Sequence, residues 1–134
     1  MDFNQIFNTD LNDKGIYGIF VNNKLLYIGM TMDSFKRRFR NHRKNINEAI
    51  NGCYNRDTQY DLYSILARYV NDGKSVELRP LVCLSKLNIR EESERCRPRL
   101  TRRDVECMEL AFISYFKPVL NTSGIKTGYE LNRI

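Results

Sequence analysis

The first third of the chain places apolar runs and polar breaks in a pattern that predicts a β-hairpin. Apolar residues dominate Gly15 to Val21 and again Lys24 to Met30, and each run has the length of a strand. The pair Asn22-Asn23 separates them, and asparagine tolerates the left-handed backbone that a two-residue hairpin turn requires. We therefore expect strand, turn and strand over this segment.

Two amphipathic helices are predicted after the hairpin. Asp33 or Ser34 offers an N-cap for a first helix that runs to about Asn51, and a polar loop separates it from the second helix. Apolar residues recur at helical spacing in both segments, so these positions should face the core. They are Phe35, Phe39, Ile46 and Ile50 in the first helix, and Leu62, Ile65, Leu66, Tyr69 and Val70 in the second.

The second half of the chain predicts one more strand and one more helix. Val76 to Leu84 has strand character, and Pro80 in its middle lacks a backbone donor, which favours an edge position or a bulge. After a charged linker, Thr101 and Asp104 resemble a capping box that opens a helix through Phe116. The order β-β-α-α-β-α predicts an α+β fold in which helices flank a small three-stranded antiparallel sheet.

Length and composition fit one domain, with 134 residues of which 42% are hydrophobic and 28% charged. We expect a core over residues 15–121 and an irregular tail over residues 122–134. Neither a membrane-length apolar run nor a secretory signal is recognisable, which predicts a cytoplasmic protein with no membrane partner. The four cysteines form no CxxC pair and there is one histidine, so a zinc finger is excluded and free thiols are expected.

The positive charge is concentrated in two parts of the sequence. A formal net charge of +6 favours polyanionic partners, and clustering of the basic residues makes nucleic acid the expected one. The residues predicted to contact DNA are Lys36, Arg37, Arg40, Arg43 and Lys44 in the first helix, and Arg97, Arg99, Arg102 and Arg103 around the start of the last.

Two tripeptides carry the most specific signal in the chain. Gly15-Ile16-Tyr17 is followed by Tyr27-Ile28-Gly29, and the second tyrosine comes ten positions after the first. Either tripeptide alone would be uninformative, but further polar residues follow in order at matching spacings. From Gly15 to Asn121 the chain resembles the GIY-YIG nucleases, on the residues Tyr17, Tyr27, Thr31, Arg38, His42, Glu109 and Asn121.

The position of the family's arginine has two solutions in this sequence. Members of the family place it ten or eleven positions after the second tyrosine, which selects Arg37 or Arg38 here. We choose Arg38, because Arg38 and His42 then form an i, i+4 pair on one helix face. Arg37 would lie opposite Asn41 instead.

Glu109 is the candidate metal ligand. It falls on a helical stripe with Val105, Phe112 and Phe116, where an ionised carboxylate is costly unless a cation or hydrogen-bond donors meet it. On the residues alone, pairing with one of the arginines is the competing interpretation. The resemblance implies that Glu109 holds one Mg²⁺ or Mn²⁺ per active site, which a hard oxygen donor suits.

The resemblance also implies roles for the other site residues. Tyr17 would relay or accept the proton of the attacking water, although a phenol with a pKa of about 10 needs a nearby cation for this, which Arg38 and the metal would supply. Arg38 would also clamp the scissile phosphate, and Tyr27 and His42 would orient water or phosphate. Asn121 would brace the active-site backbone or contact the phosphate. Without the resemblance, these residues are ordinary strand aromatics, a packing histidine and a turn cap.

The function implied by the resemblance is hydrolysis of phosphodiester bonds in DNA by an endonuclease. Double-stranded DNA is the expected partner, and the small size favours a phage or mobile-element origin, with a restriction-like or repair-like role. Two alternatives stay open: a nucleic-acid-binding module that has lost catalysis, and a nuclease acting on single-stranded DNA or RNA, because a basic helix grips any polyphosphate. A homodimer and a homotetramer also stay open.

The hairpin register decides whether Tyr17 and Tyr27 can share a site. Ideal pairing across a two-residue turn sets Tyr17 opposite Ile28 and sends the two tyrosines to opposite faces. We therefore expect an odd-length loop or a bulge within Phe20 to Leu25, which would bring Tyr17 opposite Tyr27 and both hydroxyls to one face.

Overall fold

A three-stranded antiparallel sheet with helices on both faces forms the α+β fold of the chain, in a computed structural model that describes residues 11–52, 60–87 and 100–121. This confirms the predicted fold class. The elements follow in the order β1 (Gly15–Val21), β2 (Lys24–Thr31), α1 (Phe35–Ile50), α2 (Tyr60–Asn71), β3 (Val76–Cys83), α3 (Leu84–Leu87), α4 (Arg102–Phe116) and a 3₁₀ turn (Val119–Asn121).

The predicted elements are present at nearly the predicted bounds. The short helix α3 and the 3₁₀ turn are additions to the predicted order. Most of the charged linker, the tail from residue 122 and the predicted DNA contacts Arg97 and Arg99 lie outside the described residues. No helix in the described ranges combines the length and the apolar character needed to cross a membrane.

The sheet has the strand order β2-β1-β3, which makes β1 its central strand. All seven residues of β1 are buried, as expected for a strand covered on both faces. Pro80 lies on the edge strand β3, and the register of β1 against β3 shifts between Ile16 and Tyr17, where Pro80 pairs with Tyr17. The proline therefore occupies an edge strand and adjoins a bulge, and both predicted settings are confirmed.

The hairpin turn is a regular two-residue turn. Asn22 and Asn23 both have positive φ, 51° and 69°, and Val21 pairs with Lys24 across them. This is the left-handed backbone that asparagine tolerates in primed hairpin turns. The turn chemistry inferred from the sequence is confirmed, and an odd-length loop is not used.

A one-residue bulge follows the turn. The register shifts between Ile19 and Phe20, so that Leu26 is the extra residue on β2, one position beyond the predicted stretch from Phe20 to Leu25. Tyr17 pairs with Gly29, and Tyr27 pairs with Ile19, which places both tyrosines on one face of the sheet. The predicted shared face is confirmed, whereas the predicted pairing of Tyr17 with Tyr27 is wrong because the bulge shifts the register in the other direction.

Two apolar clusters hold the helices to the sheet. Helices α1 and α2 cover the face that carries Tyr17 and Ile19, and they bury Phe35, Phe39 and Leu66 there. Helix α4 covers the opposite face, where Val105 is fully buried against Ile16 and Ile28. Most predicted core positions are buried or half-buried, but the prediction for Val70 is wrong: it is 38% exposed, because it lies at the C-terminal end of α2.

Side-chain caps fix where the two longer helices begin. Ser34 caps α1 by accepting a hydrogen bond from the Arg37 backbone N–H. Thr101 and Asp104 form the predicted capping box at the start of α4. Packing of the apolar stripe of each helix on the sheet then determines which of its polar residues face the candidate site.

Candidate active site

The hydroxyl of Tyr17 is the centre of a buried polar cluster. Tyr17 is fully buried in the central strand, and its Oη lies 2.7 Å from His42 Nε2. Arg38 Nε donates a hydrogen bond to the same oxygen over 3.2 Å. The tyrosine ring packs edge-on against Phe39 with ring centroids 5.4 Å apart. The phenol is therefore fixed by both its ring and its hydroxyl.

Helix α1 supplies both partners of Tyr17. Arg38 and His42 lie one turn apart, so a single face of the helix brings both to the phenol. His42 is fully buried, whereas Arg38 is half-buried. Arg37 is exposed and pairs with Asp33 over 3.3 Å on the outer surface. Of the two candidate arginines, Arg38 is thus the one that contacts the tyrosine.

Gly29 makes room for Tyr17 in the neighbouring strand. A Cβ atom built on Gly29 would lie 2.5 Å from Tyr17 Oη and 2.6 Å from its Cζ. No side chain fits there, because real contacts of this kind begin above 3 Å. Glycine is therefore needed at position 29 so that the Tyr17 side chain can lie across β2.

Asn121 braces the edge strand β2. Its Oδ1 accepts a hydrogen bond from Ile28 N over 2.6 Å, and its Nδ2 donates to Ile28 O over 2.8 Å. These contacts satisfy backbone groups that an edge strand would otherwise leave without a strand partner. Both polar groups of the side chain are used in this way, so Asn121 holds the Tyr27-Ile28-Gly29 backbone in place.

Burial dominates the electrostatics of the Tyr17–His42 pair. Burial raises the pKa of Tyr17 above its ordinary value, and the opposing effect of the Arg38 guanidinium is smaller. Burial, followed by the same guanidinium, lowers the pKa of His42 to about 3. Both groups are therefore neutral near pH 7, and Arg38 does not convert Tyr17 into a tyrosinate.

Glu109 lies on α4, close enough to Arg38 to feel its charge. The carboxylate is half-buried, and its pKa is raised by burial and then by Glu106, while Arg38 lowers it. Over the described ranges, Glu109 makes no salt bridge. A partly desolvated carboxylate of this kind fits a cation, and a cation would reverse the rise in its pKa.

The residues around Glu109 limit how a metal ion could be held. Within residues 11–52, 60–87 and 100–121, no cluster of three or more histidine, cysteine or acidic side chains is present. The single carboxylate of Glu109 fits Mg²⁺ or Mn²⁺, because these ions keep several waters and bind one carboxylate together with phosphate oxygens. It does not fit zinc, which takes three or four protein ligands.

An open cleft of about 510 Å³ adjoins the guanidinium of Arg38. Met30, Thr31, Met32 and Asp33 line it from the end of β2, and Arg102 lines it from the start of α4. Tyr27 is half-buried on the Tyr17 face and lies near enough to influence the pKa of Tyr17. Of the predicted catalytic residues, Arg38 lines this cleft, which is the entrance where its guanidinium meets solvent.

The described basic residues predicted to contact DNA are all exposed. Those on α1 leave the buried stripe of that helix and face solvent, and those on α4 lie in its first turn. Only two of them have an acidic partner among the described residues, since Arg37 pairs with Asp33 and Arg102 with Glu106. The full set is Lys36, Arg37, Arg40, Arg43, Lys44, Arg102 and Arg103.

Tyr63 and Asn45 belong to the polar cluster but were not predicted. Tyr63 Oη lies 2.7 Å from His42 Nδ1, and the hydroxyl also hydrogen-bonds with the Asn45 side chain. Tyr63 is buried in α2 among aliphatic residues. The sequence could have indicated Tyr63 because it is a tyrosine on the buried side of a predicted helix, and a buried hydroxyl requires a hydrogen-bond partner.

Comparison with known proteins supports the fold. No family model matches the chain, and a search of curated proteins finds no match. The chain is similar to a solved structure of a mutant of bacteriophage T4 EndoII, with a TM-score of 0.55 and 22% sequence identity. The similarity covers 82% of this chain and 74% of that chain. At this identity, the match shows that the two chains share a fold.

Proposed function

We propose that the chain is a metal-dependent endonuclease of the GIY-YIG type that hydrolyses phosphodiester bonds in double-stranded DNA. The observation that carries the proposal is the contact of Tyr17 with both Arg38 and His42, with Glu109 near enough to Arg38 to interact with its charge. These residues lie on three elements and are the positions selected by the two tripeptides and their spacing. A packing tyrosine needs neither a cationic nor an imidazole partner.

Arg38 connects the entrance with the buried phenol. Its Nε donates to Tyr17, which leaves the two Nη groups of the guanidinium to bind oxygens of a scissile phosphate. In the part of the chain that the structure describes, Arg38 has no carboxylate partner that would compete. Phosphate binding and contact with Tyr17 can therefore occur together through one planar group.

Tyr17 and His42 move the proton of the attacking water. Because the pKa of Tyr17 is raised, the phenol does not begin as an anion. It acts as a relay, accepting the water proton while it passes its own proton to His42 Nε2. The water oxygen bonds to phosphorus, the bond to the departing oxygen breaks, and that oxygen takes its proton from solvent.

Glu109 would hold Mg²⁺ or Mn²⁺ at the entrance. The metal would supply charge neutralisation on the phosphoryl oxygens and on the departing oxygen. The role of Asn121 is to keep β2, and with it Tyr27 and Gly29, at the correct distance from Tyr17. The exposed basic residues of α1 and α4 would hold the flanking phosphates.

The likeness to EndoII supports an origin in a phage or mobile element, since that protein comes from a bacteriophage. Its name marks it as an endonuclease, which agrees with the reaction proposed for the present chain. The likeness supports a nuclease in general. The restriction to double-stranded DNA rests on the resemblance of the site residues to the family pattern.

A cleavage assay with matched variants tests the proposal. Supercoiled plasmid, linear duplex, single-stranded DNA and RNA are each incubated with the protein in Mg²⁺ or in chelator, and the ends are mapped. Wild type should cut duplex DNA only with Mg²⁺. Arg38→Ala should be inactive, whereas Arg37→Ala should keep most of the activity because Arg37 faces solvent.

The same assay separates the alternatives. Metal-dependent cutting of single-stranded DNA or RNA alone would replace the proposed substrate but keep the reaction. Binding without cleavage under every condition would favour a nucleic-acid-binding module that has lost catalysis. Equal losses in the Arg38 and Arg37 variants would contradict the assigned role of Arg38.

A further inference from the structure

The hydrogen bonds around His42 determine which of its nitrogens carries the proton. His42 is neutral and fully buried, so one ring nitrogen donates and the other accepts. Its two partners are both phenols, Tyr17 at Nε2 and Tyr63 at Nδ1, each at 2.7 Å. A phenol can donate or accept, so the distances alone allow two opposite directions for the whole chain of hydrogen bonds.

Arg38 removes this ambiguity at Tyr17. Its Nε can only donate, so Tyr17 Oη accepts from it. If His42 Nε2 also donated, Tyr17 Oη would accept twice, and its own proton would need an acceptor elsewhere. In the free protein Tyr17 is fully enclosed, and among the described residues its hydroxyl hydrogen-bonds only with Arg38 and His42. That arrangement would bury a donor without a partner, which is unfavourable.

The opposite direction gives Tyr17 and both ring nitrogens of His42 a partner. Tyr17 O–H donates to His42 Nε2, and His42 Nδ1–H donates to Tyr63 Oη. The side chain of Asn45 also hydrogen-bonds with Tyr63 and acts to lower the pKa of Tyr63, as an amide N–H that donates to the phenol oxygen does. Burial of the Tyr63 hydroxyl then follows from its position as the acceptor for the histidine proton.

We infer that Tyr63 is a positioning residue for the proposed reaction, because its hydroxyl holds His42 as the Nδ1–H tautomer. In this tautomer Nε2 is free to accept the proton of Tyr17, and Tyr17 can then accept a proton from the water. The claim that Tyr63 assists the reaction rests on the proposed function. The claim that His42 is the Nδ1–H tautomer concerns the free protein and is independent of the proposed function. No site signal from the sequence includes Tyr63, and its hydroxyl does not reach the entrance.

Tyr63 also stabilises the state after proton transfer. When His42 Nε2 receives the proton of Tyr17, the imidazole becomes a cation in a site where burial and Arg38 oppose that charge. The Nδ1–H bond to Tyr63 strengthens as the ring becomes positive, because a charged donor forms a stronger hydrogen bond than a neutral one. An apolar side chain at position 63 would lose this effect and would leave the buried Nδ1–H without its acceptor, which opposes the preference that Arg38 sets through Tyr17.

The test compares Tyr63→Phe with Tyr69→Phe by ¹⁵N NMR of the imidazole ring. His42 is the only histidine of the chain, so its two ring nitrogens give an unambiguous spectrum. Tyr69 lies on the same helix, half-buried, with Lys74 near its ring, and it does not contact His42. Wild type and Tyr69→Phe should show a protonated Nδ1 and an unprotonated Nε2. Tyr63→Phe should show a reduced Nδ1–H population.

Cleavage kinetics give the second readout. We expect Tyr63→Phe to lower kcat by about 10- to 100-fold with KM nearly unchanged, as for other residues that orient a catalytic side chain. Tyr69→Phe should stay within about twofold. A wild-type spectrum with protonated Nε2 would overturn the inference by itself, even if Tyr63→Phe proved unstable. Unchanged kcat in folded Tyr63→Phe would also overturn it.

The two readouts separate failure of the inference from failure of the proposed function. If wild type cleaves no nucleic acid, but Tyr63→Phe still shifts the tautomer, the proposed function is wrong and the hydrogen-bond direction stands. If wild type cleaves and the spectrum contradicts the predicted tautomer, the function stands and Tyr63 has no positioning role.

Discussion

Replacing Gly29 with alanine tests whether the position of the Tyr17 hydroxyl governs activity. The added Cβ would lie 2.5 Å from Tyr17 Oη, so the phenol must retreat by about 0.9 Å to reach the 3.4 Å of an ordinary contact. The hydroxyl is held 2.7 Å from His42 and 3.2 Å from Arg38, and a shift of this size cannot preserve both distances. We expect cleavage to fall by at least about 100-fold, in line with the loss of a general acid or base.

The stability cost of this change should be moderate. Overpacking a well-packed core typically costs 1–3 kcal/mol, which would lower the Tm of a chain of this length by roughly 4–12 °C. The backbone of Gly29 is not left-handed, so alanine adds no conformational strain. The variant should therefore fold, and a thermal melt by circular dichroism measures the cost separately from the cleavage rate.

Gly18→Ala is the matched control for Gly29→Ala. Its Cβ would also be crowded, at 2.7 Å from Leu25 Cδ1, 3.1 Å from Phe20 Cε1 and 3.2 Å from Leu81 Cδ1. All three atoms lie on the face opposite Tyr17, and the nearest is the end of a flexible side chain. We expect a similar or smaller loss of Tm with activity within about threefold of wild type. If Gly29→Ala kept wild-type activity, or if both variants lost activity equally, the fixed position of Tyr17 would not be the cause.

Further changes test the other parts of the site. Glu109→Gln should abolish cleavage, because the metal ligand is lost. DNA affinity, measured by fluorescence anisotropy in chelator, should stay within about threefold of wild type, because the basic surface is kept. Cleavage within tenfold of wild type would contradict the assignment of Glu109 as the metal ligand. DNA affinity should fall steeply with salt, because each phosphate contact adds close to one unit to the slope of log affinity against log salt concentration. Arg40→Ala should reduce that slope without moving the cut position. A flat salt dependence would contradict nucleic-acid binding. The folded-state pKa of His42 is about 3, below the ordinary value of 6.5, so the unfolded chain binds the proton more readily. Stability from this group is therefore present above pH 6.5 and is lost as the pH falls towards 3, by up to about 1.4 kcal/mol per pH unit. Urea unfolding at pH 7.5 and pH 5.5 should show this slope in wild type and a weaker one in His42→Gln, and equal slopes would refute it.

Local patterns predicted those parts of the fold that depend on neighbouring residues. The Asn22-Asn23 turn, the Ser34 cap and the Thr101–Asp104 capping box each involve a few consecutive positions, and each is present. Arg38 and His42 were placed on one helix face by their spacing alone, and both contact Tyr17. Short-range hydrogen-bonding and helical periodicity are sufficient for such inferences.

Contacts between distant segments could not be predicted in the same way. Tyr63 approaches His42 only because α2 packs against α1, and neither helix specifies that contact by its own periodicity. Asn121 was expected to brace the backbone or contact a phosphate, and the choice depends on where the 3₁₀ turn meets β2, 93 residues away along the chain. Val70 follows the helical pattern but lies where α2 leaves the core.

The chemical state of Tyr17 shows most clearly what tertiary structure adds. The sequence places a cation near the phenol, which taken alone lowers its pKa and favours a base. The central strand buries the same phenol completely, and desolvation outweighs the effect of Arg38. A buried neutral phenol can still transfer a proton if a second acceptor lies behind it, and His42 occupies that place.

The bulge at Leu26 connects this chemistry with the backbone. A regular hairpin would place Tyr27 on the α4 face, because side chains alternate and a shift of one residue reverses every position beyond it. The extra residue keeps the regular turn and still returns Tyr27 to the face of Tyr17. Leu26 itself is 3% exposed within the cluster that contains Phe35, Phe39 and Leu66. The residue that corrects the register therefore also fills the core beside the site, so removing it would cost both the shared face and the packing that holds α1 in place.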